Sequence, residues 1–119
     1  MQYTEKRVGT VLVVALKGRL DLEAEDTLMN SCNAWLKTKP NFVFDCTDLE
    51  FIDSSGLGIL LRILKRAINA DKDIRLAAIN EQVNMLFEIT RADQIFQIFP
   101  TTEEAISSFI ENGRTEITQ

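Results

Sequence analysis

Short apolar, branched runs alternate with helix-like stretches along the whole of this chain, and that alternation restricts the fold more than any single residue does. Tyr3 to Val8 reads as a short strand and Gly9-Thr10 as a turn. Val11-Leu12-Val13-Val14-Ala15-Leu16 then has the character of a buried strand, closed by Gly18. Acidic residues at Glu23, Glu25 and Asp26 suit a helix start, where the backbone dipole is positive. Leu28, Cys32, Trp35 and Leu36 recur as a core-facing stripe, and Pro40-Asn41 ends that helix. Phe42-Val43-Phe44 is a short buried strand with Asp45 at its end.

A second helix follows the junction Phe51-Ile52-Asp53-Ser54-Ser55-Gly56-Leu57-Gly58. Helical spacing puts Leu57, Leu60, Leu61, Leu64 and Ile68 on one face and Arg62, Lys65, Arg66 and Asn69 opposite, with Ile59 and Ile63 on the boundary. Ile74 to Ile79 reads as a strand, Glu81 to Thr90 as a helix and Ile95 to Phe99 as a last strand. A final helix starts after Pro100 and carries Ala105, Ile106, Phe109 and Ile110. The order β-β-α-β-α-β-α-β-α predicts a layered α/β domain, with a central, mostly parallel sheet, an opening hairpin and about four helices. One domain is expected over 1–112, with 113–119 a flexible tail.

Composition narrows the function. A net charge of −5, with 13 basic residues scattered along the chain, argues against sequence-independent nucleic-acid binding, which needs clustered cations. No apolar run reaches the roughly 18 to 20 residues of a membrane span, and Met1-Gln2-Tyr3-Thr4-Glu5 is not a signal peptide, so a cytoplasmic protein without membrane insertion is expected. Cys32 and Cys46 form no CxxC pair and read as small apolar residues. The chain contains no histidine, which rules out a Ser-His-Asp triad or a His-containing metal site within it. Neither a cofactor nor a metal is expected.

The junction has several readings. Asp53 and the serines can cap the second helix by accepting bonds from its free amides, with the glycines allowing a tight turn. A nucleotide site would use Gly56-Leu57-Gly58, but the third glycine of the dinucleotide fingerprint is replaced by Leu61, and the P-loop lysine-hydroxyl pair is missing. A serine nucleophile lacks both its elbow motif and an activating histidine. There remains a serine, Ser54 or Ser55, that accepts a phosphate from another protein. A helix amino terminus tolerates the roughly 1.5 to 2 negative charges this adds. Repulsion of a few kcal/mol, at about 4 Å and an effective dielectric near 20, is enough to release a partner, because about 1.4 kcal/mol is tenfold in affinity.

Over nearly its whole length the chain resembles the STAS family of anti-sigma factor antagonists. The matching features are Gly18-Arg19-Leu20-Asp21, Asp45 with Leu49-Glu50-Phe51-Ile52-Asp53-Ser54-Ser55-Gly56-Leu57-Gly58, and Ile98-Phe99-Pro100-Thr101 with Glu103-Glu104-Ala105. The resemblance implies a partner switch. An anti-sigma factor serine kinase, bringing its own ATP, phosphorylates the second serine of Asp-Ser-Ser-Gly, which falls on Ser55. The unphosphorylated antagonist binds the anti-sigma factor and frees the sigma factor, and a metal-dependent serine phosphatase resets the switch. Asp21 and Asp53 match acidic positions near the family's phosphoserine, and Ser54, Gly56 and Gly58 complete its surroundings. Two departures stand out: Arg91 where many relatives have glycine, so that a different turn is expected, and the acidic Glu23, Glu25 and Asp26 where small hydroxyl residues are common.

Independently of the family, Ile59 and Ile63 bordering Arg62 and Arg66 have the composition of a partner surface. Two alternatives use other chemistry or other partners. A receiver-like domain would take phosphate on Asp45, although its acidic pair and its lysine are not evident. A STAS scaffold or lipid-transport-complex subunit would use the same fold without sigma-factor control.

Overall fold

The computed structural model describes residues 1–38 and 41–118, with side chains described as far as Ile110. The strands are β1 (Gln2–Val8), β2 (Val11–Leu20), β3 (Asn41–Ile52), β4 (Ile74–Ala77) and β5 (Gln97–Phe99). The helices are α1 (Glu25–Lys37), α2 (Ser54–Asn69), α3 (Glu81–Ile89) and α4 (Thr102–Thr118), with 3-10 turns at Leu22–Ala24 and Ala92–Gln94. The sheet runs β1-β2-β3-β4-β5, antiparallel between β1 and β2 and parallel elsewhere. This is the mostly parallel α/β layer, with opening hairpin and four helices, that the alternation predicts.

Alternate strand residues feed two cores, which is why the central strands read as nearly continuous apolar runs. Leu12, Val14, Leu16, Phe42 and Phe44 pack with Leu28 and Trp35 of α1, Leu60 and Ile63 of α2 and Phe87 of α3. On the opposite face Val11, Val13, Val43 and Ala77 form a smaller cluster with Ala105 of α4, against which Phe99 and Phe109 pack. Arg75, only 7% exposed, fastens α4 there: it donates to Ser108 and lies 3.9 Å from the Phe109 ring centroid.

Several boundaries differ from the sequence expectation. β2 does not stop at Gly18 but passes through it, at φ 95 and a shift in register, to reach Leu20. β3 does not stop at Asp45 either. Its second half pairs with β2 as far as Leu20↔Ile52, beyond the stretch where β4 joins it. Thr47, Asp48 and Glu50 are exposed on this two-stranded extension, so no continuous apolar run joins it to Phe42-Val43-Phe44. β4 ends at Ala77, before Ala78 at φ 61. Ile95 and Phe96 belong to the turn before β5, where Phe96 packs on Phe87 at 5.8 Å.

α1 ends at Lys37, with Thr38 as its cap, while Pro40 lies outside the described residues. Arg91 adopts φ 64, the left-handed region that glycine enters without penalty, so an arginine makes the kind of turn a glycine would. α4 is helical through Thr118, past residue 113 where a tail is expected, and residue 119 is outside the described residues.

Candidate functional site

The β2–β3 extension delivers the chain to the start of α2. Asp53, in extended conformation, is the N-cap, and its Oδ1 accepts the Gly56 N–H at 2.9 Å. The Asp53 N–H in turn donates to the Leu20 carbonyl at 3.4 Å, tying the helix start to the end of β2. Gly56 sits against that same carbonyl: a Cβ built on it would lie 2.1 Å from the Leu20 oxygen and 2.9 Å from Ile52 Cγ1. The site therefore requires a glycine at 56 for close approach. Gly58 is different, since a Cβ there meets nothing within 4 Å.

Ser54 and Ser55 are the first two residues of α2, and both are exposed. Among the described residues neither hydroxyl is engaged in a side-chain hydrogen bond. Asp21 directly follows Leu20, half-buried, and caps the 3-10 turn by accepting the Glu23 N–H at 3.1 Å. Two caps and one glycine contact thus bring Asp21, Asp53, Ser54, Ser55 and Gly56 to one end of the sheet. Arg19, exposed on the outer side of the extension, stacks over Phe51 with 4.0 Å between guanidinium carbon and ring centroid.

Farther along α2, Arg62 and Arg66 are exposed and face α1. Arg62 donates to Glu25 in an ion pair, and Arg66 donates to Asn33 at 2.8 Å. Ile59 and Ile63 do not join them at the surface. They are 0% and 1% exposed and belong to the main core, which corrects their assignment to the partner surface. The buried face of α2 is Gly56, Leu57, Ile59, Leu60, Ile63, Leu64 and Ala67, whereas Ile68 is 57% exposed. Gly56 lies on that buried face, against the Leu20 carbonyl, and apolar spacing gives a glycine no weight in placing it.

Glu25 and Asn33, which hold the two arginines, did not stand out as site residues; the unusual acidity after Asp21 was the one signal pointing to Glu25. Cys32 and Cys46 are buried and free. Burial pushes the Cys46 thiol up to about 12, with the Asp45 carboxylate adding to the shift and a hydrogen bond from the Ala77 backbone opposing it. Burial also raises Cys32, against an opposing pull from Arg66. Among the described residues no three His, Cys, Asp or Glu side chains gather into a metal-binding group. No described helix is long and apolar enough to cross a membrane. The arrangement offers two exposed hydroxyls at a capped helix start.

A family model described as the STAS domain matches residues 3–105. A STAS-domain-containing protein of Pseudomonas aeruginosa is 28% identical over 90 residues, covering 76% of this chain and 89% of that protein. An anti-sigma F factor antagonist of Paenibacillus polymyxa is 25% identical over 103 residues, covering 85% and 86%. The crystal structure of a candidate anti-sigma factor antagonist of Thermotoga maritima superposes with a TM-score of 0.82 at 26% identity, covering 89% of this chain and 92% of that one. In fold the chain also matches SpoIIAA in its unphosphorylated form, with a TM-score of 0.79 at 20% identity over 92% of this chain and 97% of that one. The phosphorylated form of Bacillus SpoIIAA matches with a TM-score of 0.71, again at 20% identity, over 91% and 99%.

Proposed function

The chain belongs to the STAS-domain family, and we propose that it acts there as an anti-sigma factor antagonist whose binding is controlled by phosphorylation of Ser55. Unmodified, it binds an anti-sigma factor serine kinase in the cytoplasm and so frees the sigma factor. The kinase holds the ATP: Ser55 Oγ attacks the γ-phosphorus, the hydroxyl proton is lost, and ADP leaves. A metal-dependent serine phosphatase then hydrolyses the ester with water, returning the hydroxyl and inorganic phosphate. The protein is the binding element of this cycle and needs no cofactor of its own.

The observation that carries the reading is the exposed Ser54-Ser55 pair at the start of α2, fixed by the Asp53 cap and the Gly56 contact. A phosphate there meets the positive end of a helix of 16 residues, so the fold tolerates it. What changes is the surface the partner meets. That surface comprises Ser55, the open flank at Gly58, and the exposed Arg62 and Arg66, with Ile59 and Ile63 withdrawn into the core. The anti-sigma F factor antagonist among the relatives and the solved phosphorylated and unphosphorylated forms of SpoIIAA support the reading.

The test begins with affinity capture from the native cell, followed by binding and phosphorylation assays with the captured kinase. Ser55→Ala keeps binding and accepts no phosphate, Ser54→Ala is still phosphorylated, and Ser55→Asp binds at least about tenfold more weakly. Phosphate mapped to Ser54 moves the acceptor by one residue. A Ser55→Asp variant that binds the kinase as tightly as wild type refutes electrostatic release, and capture of membrane transporter subunits without a kinase replaces the sigma-factor role with a scaffold role.

A further inference from the structure

We propose that Arg62 is a built-in ligand for phosphate on Ser55, a guanidinium that leaves Glu25 for the phosphate when the serine is modified. The proposal rests on Ser55 being the acceptor. Ser55 and Arg62 are seven residues apart in α2, which at about 100° per residue brings them within about 20° of one line along the helix, two turns and roughly 10.5 Å of rise apart. Helical arginines lean toward the amino terminus, so Arg62 leans toward Ser55. The way between them is open. The two residues one turn beyond Ser55 are Gly58, whose added Cβ would touch nothing within 4 Å, and Ile59, which is turned into the core.

The competition favours the phosphate. Arg62 and Glu25 are 50% and 36% exposed, and an ion pair so open to water is weak. A phosphoserine carries about 1.5 to 2 negative charges on three oxygens and can take a guanidinium through two hydrogen bonds. The other charges around the helix start are mostly acidic: Asp53 at the cap, Asp21 and Glu23 at the 3-10 turn, and Glu25 and Asp26 in the first turn of α1. Of the cations on α2, Arg66 is held by Asn33, Lys65 is exposed one position off the line, and Arg62 is the first along the helix.

The exchange makes the switch larger than one phosphate. Arg62 is withdrawn from any partner carboxylate, Glu25 loses its counter-ion, and the side-chain tie between α1 and α2 at that point is released. Arg62 thereby couples the serine to the acidic start of α1, a segment that capping alone does not explain.

The experiment uses the full chain with phosphoserine placed at position 55 by genetic encoding, so that it is independent of whether a cellular kinase selects that residue. A 31P NMR pH titration reads the second ionisation of the phosphate. Arg62→Gln raises that pKa by about 0.7 or more, the shift expected even in water when one positive charge about 4 Å away is removed, and Arg62→Lys restores part of it. The Arg62 Nε–H resonance moves on phosphorylation in the wild type, and Glu25→Gln shifts it only in the unmodified protein. Equal phosphate pKa values in wild type and Arg62→Gln, or a Glu25 effect that persists after phosphorylation, overturn the proposal. Failure of Ser55 to be the acceptor appears separately, in the kinase mapping.

Discussion

Alanine at Gly56 and alanine at Gly58 have opposite consequences, although the two positions lie in the same helix. Inside a helix alanine is worth about 0.8 to 1.0 kcal/mol over glycine through reduced backbone entropy. At Gly58 nothing lies within 4 Å of the new Cβ, so Gly58→Ala gains about 0.5 to 1 kcal/mol. At Gly56 the new carbon falls 2.1 Å from the Leu20 oxygen and 2.8 Å from its carbonyl carbon. An ordinary carbon–oxygen contact is about 3.3 Å or longer, so the first turn of α2 must retreat by about 1 Å. That retreat lengthens the Asp53 N–H bond to Leu20, already 3.4 Å, and loosens Ile52 and Leu57. Overpacking of this kind costs about 1 to 3 kcal/mol or more, which outweighs the propensity gain. Because the propensity gain is common to both variants, urea unfolding at constant slope should separate them by the overpacking cost, about 1 to 3 kcal/mol or more, with wild type between them. Equal midpoints, or a stabilised Gly56→Ala, would mean that the α2 start does not rest on the Leu20 carbonyl, and the account of how the serines are presented would fall with it.

Truncating Ile59 or Ile63 to alanine should cost about 2 to 4 kcal/mol in the same assay, because both side chains are buried; residues of a docking surface would leave stability unchanged. Asp53→Ala should lose about 1 kcal/mol and Asp53→Asn very little, since asparagine also accepts the Gly56 amide. Cys46 gives a pH prediction, because its thiol is raised from 9.0 to about 12. Above about pH 9 the unfolded chain has released this proton and the native chain keeps it, so the stabilising contribution is complete below pH 9 and is lost as pH rises, by about 1.4 kcal/mol per unit. Comparing wild type with Cys46→Ala between pH 7 and pH 10.5 isolates that slope, and parallel curves would contradict it.

The β/α alternation was legible because each element carries its own periodicity. The Asp53 cap was legible for a similar reason, because a capping role is local in sequence. Features that depend on contacts between distant residues were not. The second half of β3 looks polar because it pairs on one side only, with β2, and its exposed Thr47, Asp48 and Glu50 hide the buried Leu49 and Ile52. The pairing of Arg62 with Glu25 spans 37 residues and leaves no trace in either local pattern.

The orientation of α2 shows where side-chain patterning fails. Hydrophobic spacing puts Leu57, Leu60, Leu61, Leu64 and Ile68 on the core face, and Leu57, Leu60 and Leu64 are buried there, yet Ile68 is exposed and Ile59, Ile63 and Ala67 are buried. A pattern of side chains gives no weight to glycine, because glycine has no side chain to bury. Here Gly56 lies on the buried face with no room for a Cβ against the Leu20 carbonyl, and the helix is rotated so that this glycine faces inward. The same rotation draws Ile59 inward, leaves Gly58 half-buried against open space, and directs Arg62 and Arg66 to α1. A residue chosen for what it lacks thus lies at the heart of the packed face of α2, and alanine in its place would displace the two serines that precede it.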